Sequence, residues 1–384
     1  MLDVLLLGGG ASSLFLLAQI KKARPFLHVG LIEKEPFTGK KLLATGNGHA
    51  NILNKDLAKE KYNHSDFIEP FIDKYPFKVL KKNFEEIGIE VREENGLYYP
   101  LSYSAKNLVE ILRLSLKGVE VYNFYVKAYK KIDGGYEVTD GKTNIKAKKL
   151  VIATGGKSGK NLGSDGSLFS VLKEHGYEIK PLKPALAPLP VKEKIQSLKG
   201  IRNKVNLKVF KDKQLIFEER GEVLFRDKEL SGIVTFNACS AITWKNAFPC
   251  EVSLDLLPDI SEEVLTKMLS ETKNVLKENY LSSFFVKPLG DYLLLENQKT
   301  NIPLQKLIKN LVFHVHNPID FMSSQVTNGG VSLKEITSNL ESKREPGVYF
   351  AGEVLDIDGY CGGFNLSWCW MSALTILEAL LKTN

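Results

Sequence analysis

The first eighteen residues constrain the fold more than any other stretch. Leu2-Asp3-Val4-Leu5-Leu6-Leu7 is an apolar run, Gly8-Gly9-Gly10-Ala11-Ser12-Ser13 a glycine turn, and Leu14-Phe15-Leu16-Leu17-Ala18 a second apolar run. This pattern predicts a buried parallel strand, a tight turn, and a helix whose N-terminus points at the turn. Such a turn cradles a pyrophosphate, because glycines let the backbone approach the phosphates while unpaired amides and the helix dipole favour negative charge. The G-x-G-x-x-G spacing has Gly8 and Gly10 but Ser13 in third place, a small residue that only loosens the approach of helix to strand. A second apolar strand, Val29-Gly30-Leu31-Ile32, ends in Glu33. That acid lies about 20 residues past Gly10, the spacing at which a carboxylate meets ribose hydroxyls. The implied ligand is a dinucleotide.

At 384 residues the chain is long enough for two or three domains. Hydrophobic content of 43% and charged content of 25% are globular values and exclude a disordered chain. The four cysteines (Cys239, Cys250, Cys361, Cys369) are widely spaced with no C-x-x-C, which suits a reducing cytoplasm. Residues 4–20 are largely apolar, yet they lack a basic leader and are interrupted by three glycines and two serines. No uninterrupted run approaches about 20 apolar residues, so no membrane association is expected. A formal charge of +7 is modest for this length and reads as a lysine-rich surface that helps attract anions. Nucleic acid binding calls for a concentrated patch, whereas the lysines are scattered apart from short clusters such as Lys127-Ala128-Tyr129-Lys130-Lys131.

Residues 39–51, GKKLLATGNGHAN, carry little hydrophobic period and read as a loop placed near the dinucleotide by its position after Glu33. Lys40, Lys41 and the amides around Gly46 are its candidate contacts to phosphate or to an electron-rich ring. Residues 56–93 read as a helical connector, 96–105 as a polar, aromatic loop, and 105–117 as a helix with Ser104 as N-cap. Between Val119 and Ala147 short strands separated by turn signals (119–124, 126–132, 136–139, 143–147) predict a β-meander. It feeds Leu150-Val151-Ile152-Ala153-Thr154-Gly155-Gly156, a further parallel strand whose C-terminal loop faces the ligand crevice. Pro181, Pro184, Pro188 and Pro190 mark a linker. Residues 191–256 read as mostly β, with strands at 205–210, 214–219, 222–226 and 251–256, forming a small barrel or sandwich. Residues 258 to about 312 read as a compact helical cap. Dense motif returns in Ser324-Gln325-Val326-Thr327-Asn328-Gly329-Gly330-Val331, the short strand Gly347–Gly352, and Gly362-Gly363 before a last helix ending near 382.

Three stretches, GKKLLATGNGHAN, GGVSLKEI and VYFAGEVLDIDGYCGGFNLSW, together with the turn at Gly8 and Thr154-Gly155-Gly156, closely resemble the microbial FAD-dependent flavoproteins grouped with aminoacetone oxidase and a bile-acid-pathway flavoprotein. Members are described as NAD(P)/FAD-dependent oxidoreductases. The resemblance implies an α/β fold: a Rossmann-like FAD-binding domain with a β-meander, discontinuous over 1–187 and 324–384. It is interrupted by a β-barrel-like domain at 188–257 (with 313–323) and a small helical domain at 258–312. Gly8, Gly10, Ala11 and Ser12 would hold the pyrophosphate, and Glu33 with Lys34 the adenosine ribose. Val126 would meet adenine through its backbone, and Thr154 and Gly155 would line the same crevice. Gly352 and Glu353 match the family's glycine–acid pair at the ribityl and phosphate region. Gly363, Phe364, Asn365 and Leu366 would put a helix N-terminus at the pyrimidine edge of the flavin, where its positive end stabilises the reduced, anionic ring. Two departures stand out: His49-Ala50-Asn51 where the family commonly has Arg-Cys-Asn, and Ser13 and Asn47 where it has glycine.

Flavin enzymes need few catalytic side chains, because the cofactor performs the redox step. His49 is the candidate for proton transfer. Cys361 reads as a packed thiol, since Cys369 is poorly placed to pair with it. His314 and His316 alternate on an apparent strand without evident further ligands, so no metal is expected. No second G-x-G-x-x-G follows a later strand, so NAD(P)H would dock only transiently. The expected activity is oxidoreduction of a small molecule, the flavin being reduced by NAD(P)H or by a small amine and reoxidised by oxygen or another acceptor. An RNA-associated flavoprotein and a flavin-binding sensor without turnover are the competing readings. The pattern carries no signal for oligomeric state.

Overall fold

The computed structural model describes residues 1–316 and 319–382. Residues 317–318, inside the expected 313–323 segment, and 383–384 lie outside the described residues. The chain divides into two compact units, one of residues 1–183 with 325–384 and the other of residues 184–324.

The first unit is built on a seven-stranded sheet. Strand β1 (Leu2–Leu7) is buried at its centre, since a strand covered on both faces admits only apolar side chains. A tight turn leads to helix α1 (Ala11–Ala23), then β2 (Val29–Ile32) returns parallel to β1 with Leu7 opposite Ile32. Strand β3 (Glu120–Tyr122) adds parallel to β2 at the edge, with Ile32 opposite Tyr122. The expected first meander strand is therefore an edge strand of the parallel sheet instead. The hairpin itself is β4 (Ala128–Ile132) with β5 (Gly135–Thr139).

Strand β6 (Asn144–Ile152) serves two partners along its length. Its first half runs antiparallel to β5, with Thr139 opposite Asn144, while its second half runs parallel to β1, with Leu7 opposite Ile152. The last strand of the expected meander and the apolar strand after it are thus one nine-residue strand. Strand β7 (Val326–Val331) lies outside the sheet, and β8 (Val348–Phe350) joins it parallel to β6 with Phe350 opposite Ile152. The parallel order β3-β2-β1-β6-β8 brings the C-terminal ends of the strands, and hence Glu33, Gly8, Thr154 and Gly352, to one edge of the sheet, where open α/β folds bind ligands.

Helix α2 (Phe364–Lys382) packs on α1, with the Trp370 ring 5.1 Å from Phe15. By length and composition α2 alone is apolar enough to cross a membrane among the described residues, but its apolar side chains are mostly buried in the core of this unit. The expected helical connector contains two helices, Ser65–Lys74 and Phe77–Glu85, and ends in a strand, Val91–Glu94. That strand pairs with Leu97–Pro100, so the start of the expected aromatic loop is a strand that also pairs with Leu53–Asn54. Ser104 caps the next helix (Ala105–Arg113) by accepting from the Asn107 amide at 3.2 Å.

The second unit holds a nearly closed, barrel-like antiparallel sheet in the order Leu189–Pro190, Glu229–Ser231, Gln214–Phe225, Arg202–Lys211, Cys250–Asp255, Leu311–Val315. The two expected strands at 214–219 and 222–226 are one twelve-residue strand through Gly221. Residues 233–244, expected within a mostly β stretch, form a helix. Val234 on that helix packs over Gly221, where a Cβ would lie only 2.9 Å from the Val234 Cβ, so the missing side chain lets helix and strand approach. The helices Glu262–Leu276, Lys287–Thr300 and Leu304–Lys309 fall in this same unit. His314 is engaged by Glu193, Nδ1 to Oε1 at 2.7 Å.

Candidate cofactor site

Every element of the site lies in the first unit. Gly8 leaves β1 with φ +94°, and a Cβ there would sit 2.7 Å from the Ala153 carbonyl oxygen and 2.9 Å from Thr154 Cα. A side chain would therefore push β1 off β6. Gly9 is closed in as well, with a Cβ position 2.6 Å from Thr38 Cγ2. Gly10 differs: it caps α1 without any side-chain hydrogen bond, and a Cβ built on it meets nothing within 4 Å. The amides of the first helical turn thus face open space beside a residue that leaves it unfilled, a cradle shaped and charged for a diphosphate. Thr38, whose methyl faces Gly9, carries a buried hydroxyl with no hydrogen-bond partner. These features fit the pyrophosphate of FAD.

Glu33 stands at the end of β2 as expected, and its carboxylate closes the turn. Oε2 accepts from the Gly9 amide at 2.6 Å and Oε1 from the Glu35 amide at 2.8 Å. Lys34 pairs with Asp165 at 2.5 Å, with its ammonium 5.3 Å from the centre of the Tyr125 ring. Val126 is half-buried against the core between β3 and β4. Ser12 is buried beside Gly352, whose φ of +69° and Cβ position 2.4 Å from Ser12 Oγ leave room for no other residue. Residues more than three hundred positions apart thus meet at the same strand ends.

Lys41 reaches Glu353, Nζ to Oε2 at 2.7 Å, while Glu353 Oε1 accepts from the Thr327 amide at 2.9 Å. Gly155 and Gly156 lie against this carboxylate, with Cβ positions 3.7 Å and 3.1 Å from its two oxygens. Sequence reasoning set Thr327 in a motif without giving it a part. Its hydroxyl holds the loop after β6 by accepting from the amides of Lys157 and Ser158, and its backbone amide holds Glu353.

At the other end of the site, Gly362 and Gly363 take φ +121° and +88° before α2. Asn54 donates to the Gly362 carbonyl at 2.8 Å, and Tyr62 to the Phe364 carbonyl at 2.9 Å. Phe364 is buried and Leu366 half-buried in the core. The Asn365 amide is spent inside the loop: its oxygen accepts from the Gly359 amide at 2.9 Å and its nitrogen donates to the Gly359 carbonyl at 2.8 Å. Asn365 holds the turn that aims the helix. The first turn of α2 contains no acid, so its positive end is uncompensated by local side chains.

The 39–51 segment is more ordered than expected, with a helical turn at Lys40–Leu43 and a tighter turn at Thr45–Gly48. Gly46, Asn47, Gly48 and Ala50 all have positive φ, as does Tyr103 facing them. Left-handed backbone at two non-glycine residues in one short loop is strain of the kind that collects at functional sites. The His49 ring stacks on Tyr103 with centroids 4.2 Å apart, and its Nδ1 lies 3.0 Å from the Tyr103 carbonyl oxygen. Tyr99 stands 4.9 Å from Tyr103, and burial raises its phenol above the ordinary value. Burial pushes the Cys369 thiol up to about 11, which keeps it protonated and inert near neutral pH.

The family description "HI0933-like protein Rossmann domain" matches residues 2–378. A 3-dehydro-bile acid delta(4,6)-reductase of Clostridium scindens is 28% identical, with 95% of each chain covered. A ribosomal RNA dihydrouridine synthase of Escherichia coli is 27% identical over 100% of this chain and 98% of its own. A 3-ketosteroid delta1-dehydrogenase from Sterolibacterium denitrificans shares the fold, with TM-score 0.51 at 10% identity and 98% and 99% of the two chains covered. With the glycine turn, Glu33 and the C-terminal helix converging on one sheet edge, the chain belongs to the HI0933-like Rossmann family and is an FAD-dependent oxidoreductase.

Proposed function

We propose that this protein reduces a carbon–carbon double bond conjugated to a carbonyl in a small molecule, with NAD(P)H as the reductant of its flavin. The observation that carries the reading is the fixed tautomer of His49. Its Nδ1 faces the Tyr103 carbonyl, which only accepts, so Nδ1 carries the hydrogen and Nε2 is left to exchange a proton. FAD, when bound and reduced, supplies a hydride to the electron-poor carbon. The adjacent carbon then needs one proton, and protonated His49 delivers it from Nε2 and returns to its neutral form. Stacking on Tyr103 holds the imidazole plane while this happens.

Two curated relatives support the chemistry by their names, since a delta(4,6)-reductase and a dihydrouridine synthase both imply saturation of a ring double bond. A second reading, with a uracil base in RNA as the acceptor, is favoured by the whole-chain match to the dihydrouridine synthase and by the net charge of +7. It shares the proton step.

The test is anaerobic. Flavin reduced by NADH or NADPH should be reoxidised on mixing with a steroid 4-en-3-one, and His49→Gln should slow that reoxidation by about 100-fold or more while leaving reduction by the nicotinamide unchanged. Reoxidation only by a uridine-containing RNA fragment selects the second reading. Rapid flavin reduction by amines, with no reoxidation by any conjugated alkene, would sink both.

A further inference from the structure

We propose that Thr327 is a positioning residue of the FAD site, one hydroxyl that sets the loop after β6 in its cofactor-binding shape before FAD arrives. The proposal rests on FAD binding alone and stands whichever substrate is reduced. Thr327 and Ser158 are fully buried. The Thr327 hydroxyl oxygen accepts from two consecutive amides, Lys157 N at 2.8 Å and Ser158 N at 2.9 Å, and its proton goes to Ser158 Oγ at 3.0 Å. Two acceptances and one donation exhaust what a hydroxyl offers. The Thr327 backbone amide is used as well, on Glu353 Oε1, whose partner oxygen holds Lys41.

One residue therefore joins three segments that face the crevice: the loop 155–158, the 352–353 turn, and, through Glu353, the lysine at 41. The fit is close. A Cβ on Gly156 would lie 2.5 Å from Thr327 Oγ1, so the loop has moved onto the hydroxyl as far as backbone allows. Glycines in β7 permit the strand itself to sit this near. At Gly330, φ is +141° and a Cβ would meet the Val354 carbonyl oxygen at 2.6 Å, and Asp356 N donates to the Val331 carbonyl at 3.1 Å. The strand thus presents Thr327 beside Glu353 with little freedom. Two neighbouring amides caught on one oxygen form a turn that stays closed without a ligand, which removes an ordering cost from cofactor binding. Valine has the shape of threonine and no hydroxyl, and would remove the acceptor that the two amides share.

The experiment uses the full-length protein stripped of FAD and titrated with FAD by quenching of flavin fluorescence. Thr327→Val is expected to weaken FAD binding about tenfold or more. Thr327→Ser, which keeps the hydroxyl, should stay within about threefold of the parent. Hydrogen–deuterium exchange supplies an independent readout on the unmutated chain, and so survives failure of the valine variant to fold. The amides of residues 157 and 158 should be protected in the FAD-free protein as well as in the FAD-bound one. Wild-type affinity in a folded Thr327→Val, or a loss in Thr327→Ser as large as in the valine variant, overturns the proposal. So does free exchange of those two amides without FAD.

Discussion

Two glycines at the cofactor edge meet opposite demands. At Gly10 the backbone angles (φ −83°, ψ −166°) suit any residue and the space is open, so Gly10→Ala should leave the FAD-free fold as stable as before, or slightly more so because an alanine restricts the unfolded chain. The same methyl fills the cradle over the helix amides, and FAD affinity should fall roughly 10–100-fold, the cost of about 1–3 kcal/mol that overpacking carries. At Gly352 a methyl would collide with Ser12 Oγ at 2.4 Å under a left-handed φ of +69°. Gly352→Ala should therefore destabilise the protein itself, by about 1–3 kcal/mol in urea unfolding of the FAD-free form. Measuring stability and FAD affinity for both variants separates a glycine kept for the ligand from one kept for packing. The sequence marked both positions as glycines of a cofactor motif. It did not distinguish their reasons, because the atom that excludes a side chain at Gly352 belongs to Ser12, at the far end of the chain. Thiols give a second residue-scale check. Burial raises Cys250 to about 12 and Cys369 to about 11, so iodoacetamide at pH 8 should spare both until the protein unfolds, as read by peptide mass spectrometry.

Secondary elements were legible in proportion to how strongly one pattern dominated them. Strand β1, the glycine turn and α1 carry three agreeing signals, and the structure has them where the residues say. The helix Ile233–Trp244 was hidden for a physical reason: it is apolar nearly all round, with Val234, Ala238, Ala241 and Ile242 buried, so no amphipathic period betrays it within a β-rich region. Strand β6 was split because its two halves have different neighbours. Residues 144–147 pair with the hairpin strand β5, while Leu150-Val151-Ile152 are buried between β1 and β8. The same argument explains α2, whose composition passes for a membrane span while its side chains fill the core. Trp370 is its anchor, fully buried between Phe15 and Phe84 with its indole N–H on the Ile52 carbonyl at 2.8 Å. Trp370→Ala should cost about 3–5 kcal/mol of stability by urea unfolding, as loss of a large buried ring does. A cost below about 1 kcal/mol would show that α2 does not hold this unit together.

At the scale of the whole molecule, the connectivity is the most informative feature. Every proposed cofactor contact lies in residues 1–183 or 325–384, and residues 184–324 interrupt the chain between them. The places where the chain leaves and returns are adjacent. The segment Ile179–Ala185 pairs with β7, Ser332 N donates to the Glu178 carbonyl at 2.9 Å, and Gly329 approaches the Pro181 carbonyl. Those contacts advance in opposite directions along the two segments, so the pair is antiparallel. Adjacent antiparallel strands can be joined by a short turn. Replacing residues 184–324 with a short glycine-rich turn should leave a first unit that folds and binds FAD, since its core is a single buried cluster drawn from both of its segments. The expected outcome is a yellow, monodisperse protein whose FAD affinity stays within about tenfold of the parent, a change under about 1.4 kcal/mol. An excised chain that melts cooperatively yet holds no FAD would mean that the second unit supplies part of the cofactor site, and the assignment of that site to the first unit would fall with it.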